Sequence, residues 1–457
     1  MNEEPVQAHG QQLTVSFGEA FWTWCRVSAL SFGGPAGQIA VMHRIIVDEK
    51  KWIGEDRFVH ALNYCMLLPG PEAQQLATYI GWLMQRTLGG LMAGILFVLP
   101  GFISILVLSI LYACFQQTTL VEGLFFGLKP AVMAIVIDAV LRIGSRILKN
   151  RMMYFLAGSS FVAIFFLNVS FPLLIVVAGL TGLVGGRIAP RHFQVLKGHE
   201  TTVTARAGAG SELSVQAIAP TWRRSLRICA VFLTLWFGPL AMIGWFAGGQ
   251  SVFTQEGIFF SQAAVVTFGG AYSVLAYIAQ QAVERFGWLQ PGEMLDGLGM
   301  AETTPGPLIM VVQFVGFMGA YRNPGDLNPL LAGVLGSLVT VWVTFVPCFF
   351  WIFLGAPFVE KLRGNQALTS ALSAITAAVV GVILNLAVWF SLHTLFGTVE
   401  TGSFGGLRLL IPVWSTIDLA SLAIGVLACL MTFCWKRGMG VTLAVCAACG
   451  IVWQFVF

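Results

Sequence analysis

The chain is poor in charge. Lys, Arg, Asp and Glu make up only 10% of its 457 residues, while 57% are hydrophobic, more apolar surface than a soluble core of this size can hide. A bilayer is therefore the expected solvent. The net charge of +4 is spread through loops rather than gathered into a patch, so nucleic acid is not an expected partner. The polar residues 1–16 lack a basic stretch ahead of an apolar one, and no cleaved signal peptide is expected. Also missing are Gly-x-Ser-x-Gly, His-Glu-x-x-His, a Walker loop and histidines paired as for haem. These absences speak against hydrolase, redox and ATP-driven chemistry, and no cofactor is expected. The nine cysteines lie almost all in apolar runs, and Cys446-Ala-Ala-Cys449 has no His or acidic residue nearby. They read as small buried hydrophobes rather than a metal or redox site.

What the chain does have is long apolar segments interrupted by proline and glycine. Leu68-Pro69-Gly70-Pro71-Glu72-Ala73-Gln74-Gln75 must break a helix, and Thr304-Pro305-Gly306-Pro307 repeats the break 236 residues downstream. The same shift carries Phe32-Gly33-Gly34 onto Phe268-Gly269-Gly270 and Trp52 onto Trp288. Rare landmarks in one register indicate two copies of one helix-breaking unit. The expected organisation is a polar tail (1–16), a first repeat (17–187), a hydrophilic cytoplasmic linker (188–227), a connecting span (228–247) and a second repeat (257–456). Beyond the broken segments, spans are expected near 88–114, 120–143, 151–168, 170–187, 329–353, 367–393, 409–434 and 438–456.

Basic residues gather in short cytoplasmic loops, which bears on how the broken segments sit. If every apolar stretch crosses, thirteen spans result, and Arg44, Lys50, Lys51 and Arg57 fall outside. If each broken segment instead enters and returns as a re-entrant hairpin, those four move to the cytoplasmic side and only Arg285 moves out. The hairpin also suits arms of about half a bilayer at 1.5 Å rise per residue. In either arrangement an odd number of crossings separates the two starts. The fold expected is an all-α polytopic membrane protein with an inverted-topology repeat, its N-terminus cytoplasmic and its C-terminus periplasmic.

A helix broken inside a membrane leaves amides that lipid cannot satisfy, so it persists where something polar fills the gap. The amides after Pro71 and Pro307, with those after Gly34 and Gly270, would be four positive helix ends, a site for an anion. Gly33, Gly70, Gly269 and Gly306 let backbone approach a ligand closely. The bland alternative is that these residues only kink spanning helices. Around the breaks lie Gln38, Glu72, Gln74 and Gln75 in the first copy, and Tyr272, Glu302, Thr303, Thr304 and Gln313 in the second. Gln and Thr can donate to an oxyanion without burying a charge. Arg26, read as one of two basic residues inside the membrane, is the candidate for bidentate anion contact; otherwise it pairs with Glu19 or Glu72. Glu72 and Glu302 would repel a dianion unless protonated or paired, which makes them candidates for proton coupling. Lys129, the other intramembrane cation, could pair with Asp138 on the same helix, while His43 and His60 read as interfacial.

The motifs Ser31-Phe32-Gly33-Gly34-Pro35, Trp52 and Leu68 to Gln75, with their weaker echo at Thr267 to Gly270, Trp288 and Thr304 to Pro307, closely resemble the chromate ion transporter family in its long two-domain form. The likeness runs from about residue 17 to 456. It implies a bacterial inner-membrane protein that exports chromate and confers chromate resistance, driven by membrane potential or a proton gradient. Sulfate is the structural analogue and competitor it implies. Ala271 stands where the first copy has Pro35, so the two breaks need not contribute equally. A sulfate or other oxyanion importer and an anion channel remain as alternatives on the same scaffold. Homodimers are common among such carriers, but no feature of the sequence encodes an oligomeric state.

Overall fold

The computed structural model describes residues 15–193, 221–358, 366–404 and 407–456. Most of the expected polar tail and of the expected linker lie outside the described residues. Seven described helices are long and apolar enough to cross a membrane, and almost everything described is helical, as an apolar chain must be where lipid cannot hydrogen-bond its backbone. The exception is a hairpin of two antiparallel strands, β1 (Val399–Phe404) and β2 (Leu407–Pro412). It corrects the expected span from residue 409, because that helix begins only at Leu419, where Asp418 caps the amides of Ala420 and Ser421 at 2.9 and 3.1 Å. Hydropathy alone could not separate the apolar strand from the helix that follows it.

Helix order repeats along the chain. The first series is α1 (Phe17–Leu30), α2 (Gly34–His43), α3 (Glu55–Cys65), α4 (Glu72–Phe115), α5 (Thr119–Ile147), α6 (Arg151–Phe165) and α7 (Phe171–Ile188). A short helix, α8 (Pro190–Phe193), and the long α9 (Trp222–Ala247) follow. The second series is α10 (Val252–Val266), α11 (Ala271–Gln280), α12 (Glu293–Thr303), α13 (Val311–Arg322), α14 (Pro329–Gly355), α15 (Gln366–Leu395), α16 (Leu419–Cys429) and α17 (Met439–Val456). The two series have the same number of arms, because α4 is two helices joined at Gln85 and Arg86, where the backbone leaves helical geometry (Arg86 φ 59°, ψ −146°). The register is matched in detail: a π-helical turn follows both α2 (Arg44–Glu49) and α11 (Gln281–Arg285), and just beyond it Trp52 N–H donates to the Ile46 carbonyl (2.9 Å) and Trp288 N–H to the Ala282 carbonyl (2.8 Å).

Each broken segment folds back on itself at its break. Lys50 meets Glu19 at 2.9 Å and Arg26 meets Glu49 at 2.7 Å, so the end of the α2 arm lies beside α1. The rings of Tyr64, five residues before Pro69, and Tyr79, eight after Pro71, are 5.2 Å apart. Phe259 and Tyr277 stand 5.5 Å apart across the Gly-Gly break, and a Cβ on Gly297 would come 2.5 Å from Phe314 across the second Pro-Gly-Pro. Arms that run antiparallel from one turn are hairpins. Collinear full spans do not describe these four segments.

Beyond the hairpins, the two series exchange partners. Helices α6 and α7 of the first pack on α15 of the second, and α16 and α17 of the second pack on α5 of the first. Small residues make these seams close: a Cβ on Gly182 would sit 2.5 Å from the Ser370 carbonyl oxygen. The main buried cluster runs from Trp24 in the first series to Phe390 and Cys446 in the second, with a smaller one around Met153 and Ala374.

Candidate functional site

The four breaks are joined in two pairs, each break bonded to one from the other series. Gly70 N–H donates to the Thr267 carbonyl at 2.8 Å, and Gly306 N–H donates to the Ser31 carbonyl at 3.0 Å. Donors and acceptors are both related by the 236-residue shift, so the two bonds are equivalents. Behind each acceptor the preceding helix is closed the same way: Ser31 Oγ donates to the Val27 carbonyl and Thr267 Oγ1 to the Ala263 carbonyl, both at 2.6 Å. The backbone reaches this geometry through glycines with positive φ: Gly33 (79°), Gly34 (73°) and Gly70 (127°) in one series, Gly269 (73°), Gly270 (101°) and Gly306 (111°) in the other. Any L side chain at these positions would be strained.

Glutamines hold the turns. Gln38, buried on α2, donates from Nε2 to the Gly306 carbonyl at 2.6 Å, tying a first-series arm to the second-series turn. Gln75 donates to the Pro69 carbonyl at 2.8 Å, Gln74 to Thr78 Oγ1 at 3.0 Å, and Gln313 to the Phe102 carbonyl at 3.0 Å. The Oε1 atoms of all four are buried without a partner. Each such group is costly to leave unmade, on the order of 1–3 kcal/mol, so two beside each Pro-Gly-Pro turn mark polar regions rather than ordinary packing.

The helices that leave the breaks start without side-chain caps. Gly34, Glu72 and Ala271 open their helices with none, as does Leu308, which opens the short 3-10 turn Leu308–Met310 leading into α13; Glu72 and Leu308 stand behind Pro71 and Pro307 in the two Pro-Gly-Pro turns. Elsewhere in the fold Ser16, Asn150, Ser251 and Asn328 cap helices, while α3, α5, α7, α9 and α12 also start without a side-chain cap. Of the polar residues expected here, Tyr272 donates its hydroxyl to Glu302 Oε1, while Glu302 Oε2 is buried and unpartnered. Glu72 is half-buried at the first turn of its helix. Thr303 and Thr304 spend their hydroxyls on the carbonyls of Gly299 and Met300, both at 2.9 Å.

Several pairings differ from those read in the sequence. Arg26 is half-exposed and bonded to Glu49, not to Glu19 or Glu72, and Glu19 takes Lys50 instead. Lys129 and Asp138 do not pair: Lys129 lies 3.6 Å from Asp296 and Asp138 engages Arg142. Helical spacing explains this, since nine residues separate the two on one helix whereas Arg142 is four from Asp138. The sequence reading also passed over a buried network at the far end of α12. Arg322 grips Glu293 through two bonds of 2.7 Å, and Tyr112 donates to Asp296 at 2.9 Å. Fully buried Glu256 was missed as well. Acidic residues inside apolar segments were the signal available. Among the described residues no group of three or more His, Cys, Asp or Glu could hold a metal ion.

A fold whose two halves interlock at paired helix breaks can be compared with known families by sequence. The family described as Chromate transporter matches residues 18–183 and 255–452, one stretch for each helix series. The chain belongs to the chromate transporter family. Among its relatives, a chromate transport protein of Pseudomonas aeruginosa is 29% identical over 378 residues, covering 81% of this chain and 80% of that one. A chromate transport protein of Cupriavidus metallidurans is 27% identical over 362 residues, 78% of each chain. A probable chromate transport protein of Synechococcus elongatus is 26% identical over 380 residues, 81% of this chain and 84% of that one. No solved structure matches the chain. In this chromate transporter family member the matched stretches begin and end close to the two helix series and leave α9 outside both.

Proposed function

We propose that this protein is a secondary active transporter that exports chromate across the bacterial inner membrane and so confers chromate resistance, with an ion gradient or the membrane potential as its energy source. The observation that carries the reading is the reciprocal pair of hydrogen bonds between breaks, Gly70 to Thr267 and Gly306 to Ser31, set among four uncapped helix starts. Each start directs unpaired amides and the positive end of a helix dipole toward the centre. Chromate is a tetrahedral dianion with four acceptor oxygens and can take several such amides at once.

In this reading the two series are inverted repeats, and the two bonds between breaks are contacts that alternate. With both made, the turns satisfy each other. When one opens, Gly70 or Gly306 offers its amide to an oxyanion while the other remains closed, which exposes the site to one side at a time. Gln38, tied to the Gly306 carbonyl, and Gln75, tied to the Pro69 carbonyl, steady the turns and can rotate their amide groups to donate to the anion. Gln74, Thr303 and Thr304 line the same turns. Arg26, at the mouth of the first hairpin beside Glu49, acts as an entry contact in this scheme. Glu302, held by Tyr272, and Glu72 take up protons so that the dianion is not repelled.

Vesicles of both orientations, loaded with labelled chromate or sulfate under an imposed proton gradient, test the reading. Saturable export of chromate that sulfate inhibits is expected. Import as the driven direction would replace it with an oxyanion importer, and flux far above carrier turnover would make it a channel.

A further inference from the structure

Glu256 has no role in the scheme above, yet among the described residues it is a fully buried acid with neither oxygen bonded. It sits one turn into α10. Its head lies in the seam between α13 and α14, where two glycines make room. A Cβ on Gly319 would come 2.8 Å from Oε1, and one on Gly336 would come 2.9 Å from Oε2. One turn along α14 the hydroxyl of Thr340 is likewise buried and unpartnered.

Among the described residues no cation reaches the carboxyl. Within α10 it is the one charged residue, and α14 and α11 carry none. Arg322 of α13, one turn past Gly319, commits its guanidinium to Glu293 and the Trp288 carbonyl. Arg223, Arg224 and Arg227 open α9, whose contact with α10 is at the other end, through Leu240 beside Gly257; from Arg227 to Leu240 is about 20 Å of helix. An ionised carboxylate without donor or cation in such a seam is excluded by its desolvation cost. Packing does not require the acid either. The equivalent position in the first series, 236 residues earlier, is Ala20, which is equally buried.

We propose that Glu256 is a proton-binding site, occupied as the neutral acid while the α13–α14 seam is closed and released when the seam opens. The proposal rests on the inverted arrangement given above, which sets the start of α10 toward the outer face. There the site would load from the periplasm. Helix α13 begins at the Pro305-Gly306-Pro307 turn, so movement of this seam is transmitted to the turn that bonds Ser31. Protonation of Glu256 would thereby be linked to opening of one break.

The test uses the full-length protein in proteoliposomes. A hydrophobic carbodiimide, which adds to protonated carboxyls in apolar surroundings, is expected to modify Glu256, located by peptide mass spectrometry, with labelling that falls as pH is raised. Chromate accumulation driven by an imposed pH gradient is expected to drop about tenfold or more in E256Q and to persist in E256D. E256A, which copies the first series, is expected to melt no lower than the wild type. Absence of labelling, undiminished pH-driven accumulation in E256Q, drive by a sodium gradient in place of protons, or unfolding of E256A would each overturn the proposal. Gradient-free chromate exchange by the wild type is measured alongside. Its loss would count against the substrate reading, while labelling still decides the fate of Glu256.

Discussion

Gln38 is the residue on which the centre depends most directly. It is the side chain from one series that bonds the Pro-Gly-Pro turn of the other, at 2.6 Å to the Gly306 carbonyl. Q38A leaves that carbonyl buried and unmade, a loss of about 1–3 kcal/mol, and chromate transport is expected to fall roughly tenfold or more, read as initial flux in vesicles. Tyr272 gives a second prediction. Y272F removes the one donor to Glu302 Oε1 while Oε2 already has none. A destabilisation of about 1–3 kcal/mol is expected in a thermal melt, and E302Q combined with Y272F should recover part of it, since a neutral amide costs less to bury than an acid without its donor. That Gln38, Tyr272 and Glu302 gather near the breaks was legible in the sequence, because each follows or precedes a break within a turn or two. Their partners were not, because the bond from Gln38 crosses 268 positions of chain.

At the scale of elements, the glycine turns make a graded prediction. Gly306 has φ 111° and a Cβ there would press on the Gly101 backbone at 3.0 Å, whereas Gly34 has φ 73° with nothing within 4 Å. G306A therefore adds a steric clash to backbone strain, and G34A adds strain alone. A loss of about 1 kcal/mol is expected for G34A, and clearly more for G306A, in parallel melts of the purified proteins. Element lengths were read well from hydropathy: α5 and α15 lie within a few residues of their expected spans. The β1–β2 hairpin was not, since an apolar strand of six residues has no period that distinguishes it from the first turns of a helix. Its anchor, Arg408 clasping Glu284 from the other end of the second series at 2.7 and 3.0 Å, is a tertiary contact.

For the whole molecule, the inverted arrangement proposed above predicts opposite sidedness for equivalent loops. In a cysteine-free background, K51C should react with an impermeant maleimide only in inside-out vesicles and R285C only in right-side-out ones. Labelling of both from one side would remove the inversion and with it the alternating scheme. The repeat itself needed no structure, because a rigid spacing of prolines, glycines and tryptophans is visible in one chain. So were the membrane solvent and the breaks, since composition and the missing amide of proline decide those locally. What only the tertiary structure decided is that each break completes one from the other half, that α6 and α7 lie on α15 while α16 and α17 lie on α5, and that Arg26, Lys129 and Asp138 have other partners than sequence suggested. Periodicity and composition report which groups a helix must satisfy, but the group that satisfies them is chosen by packing between segments hundreds of residues apart.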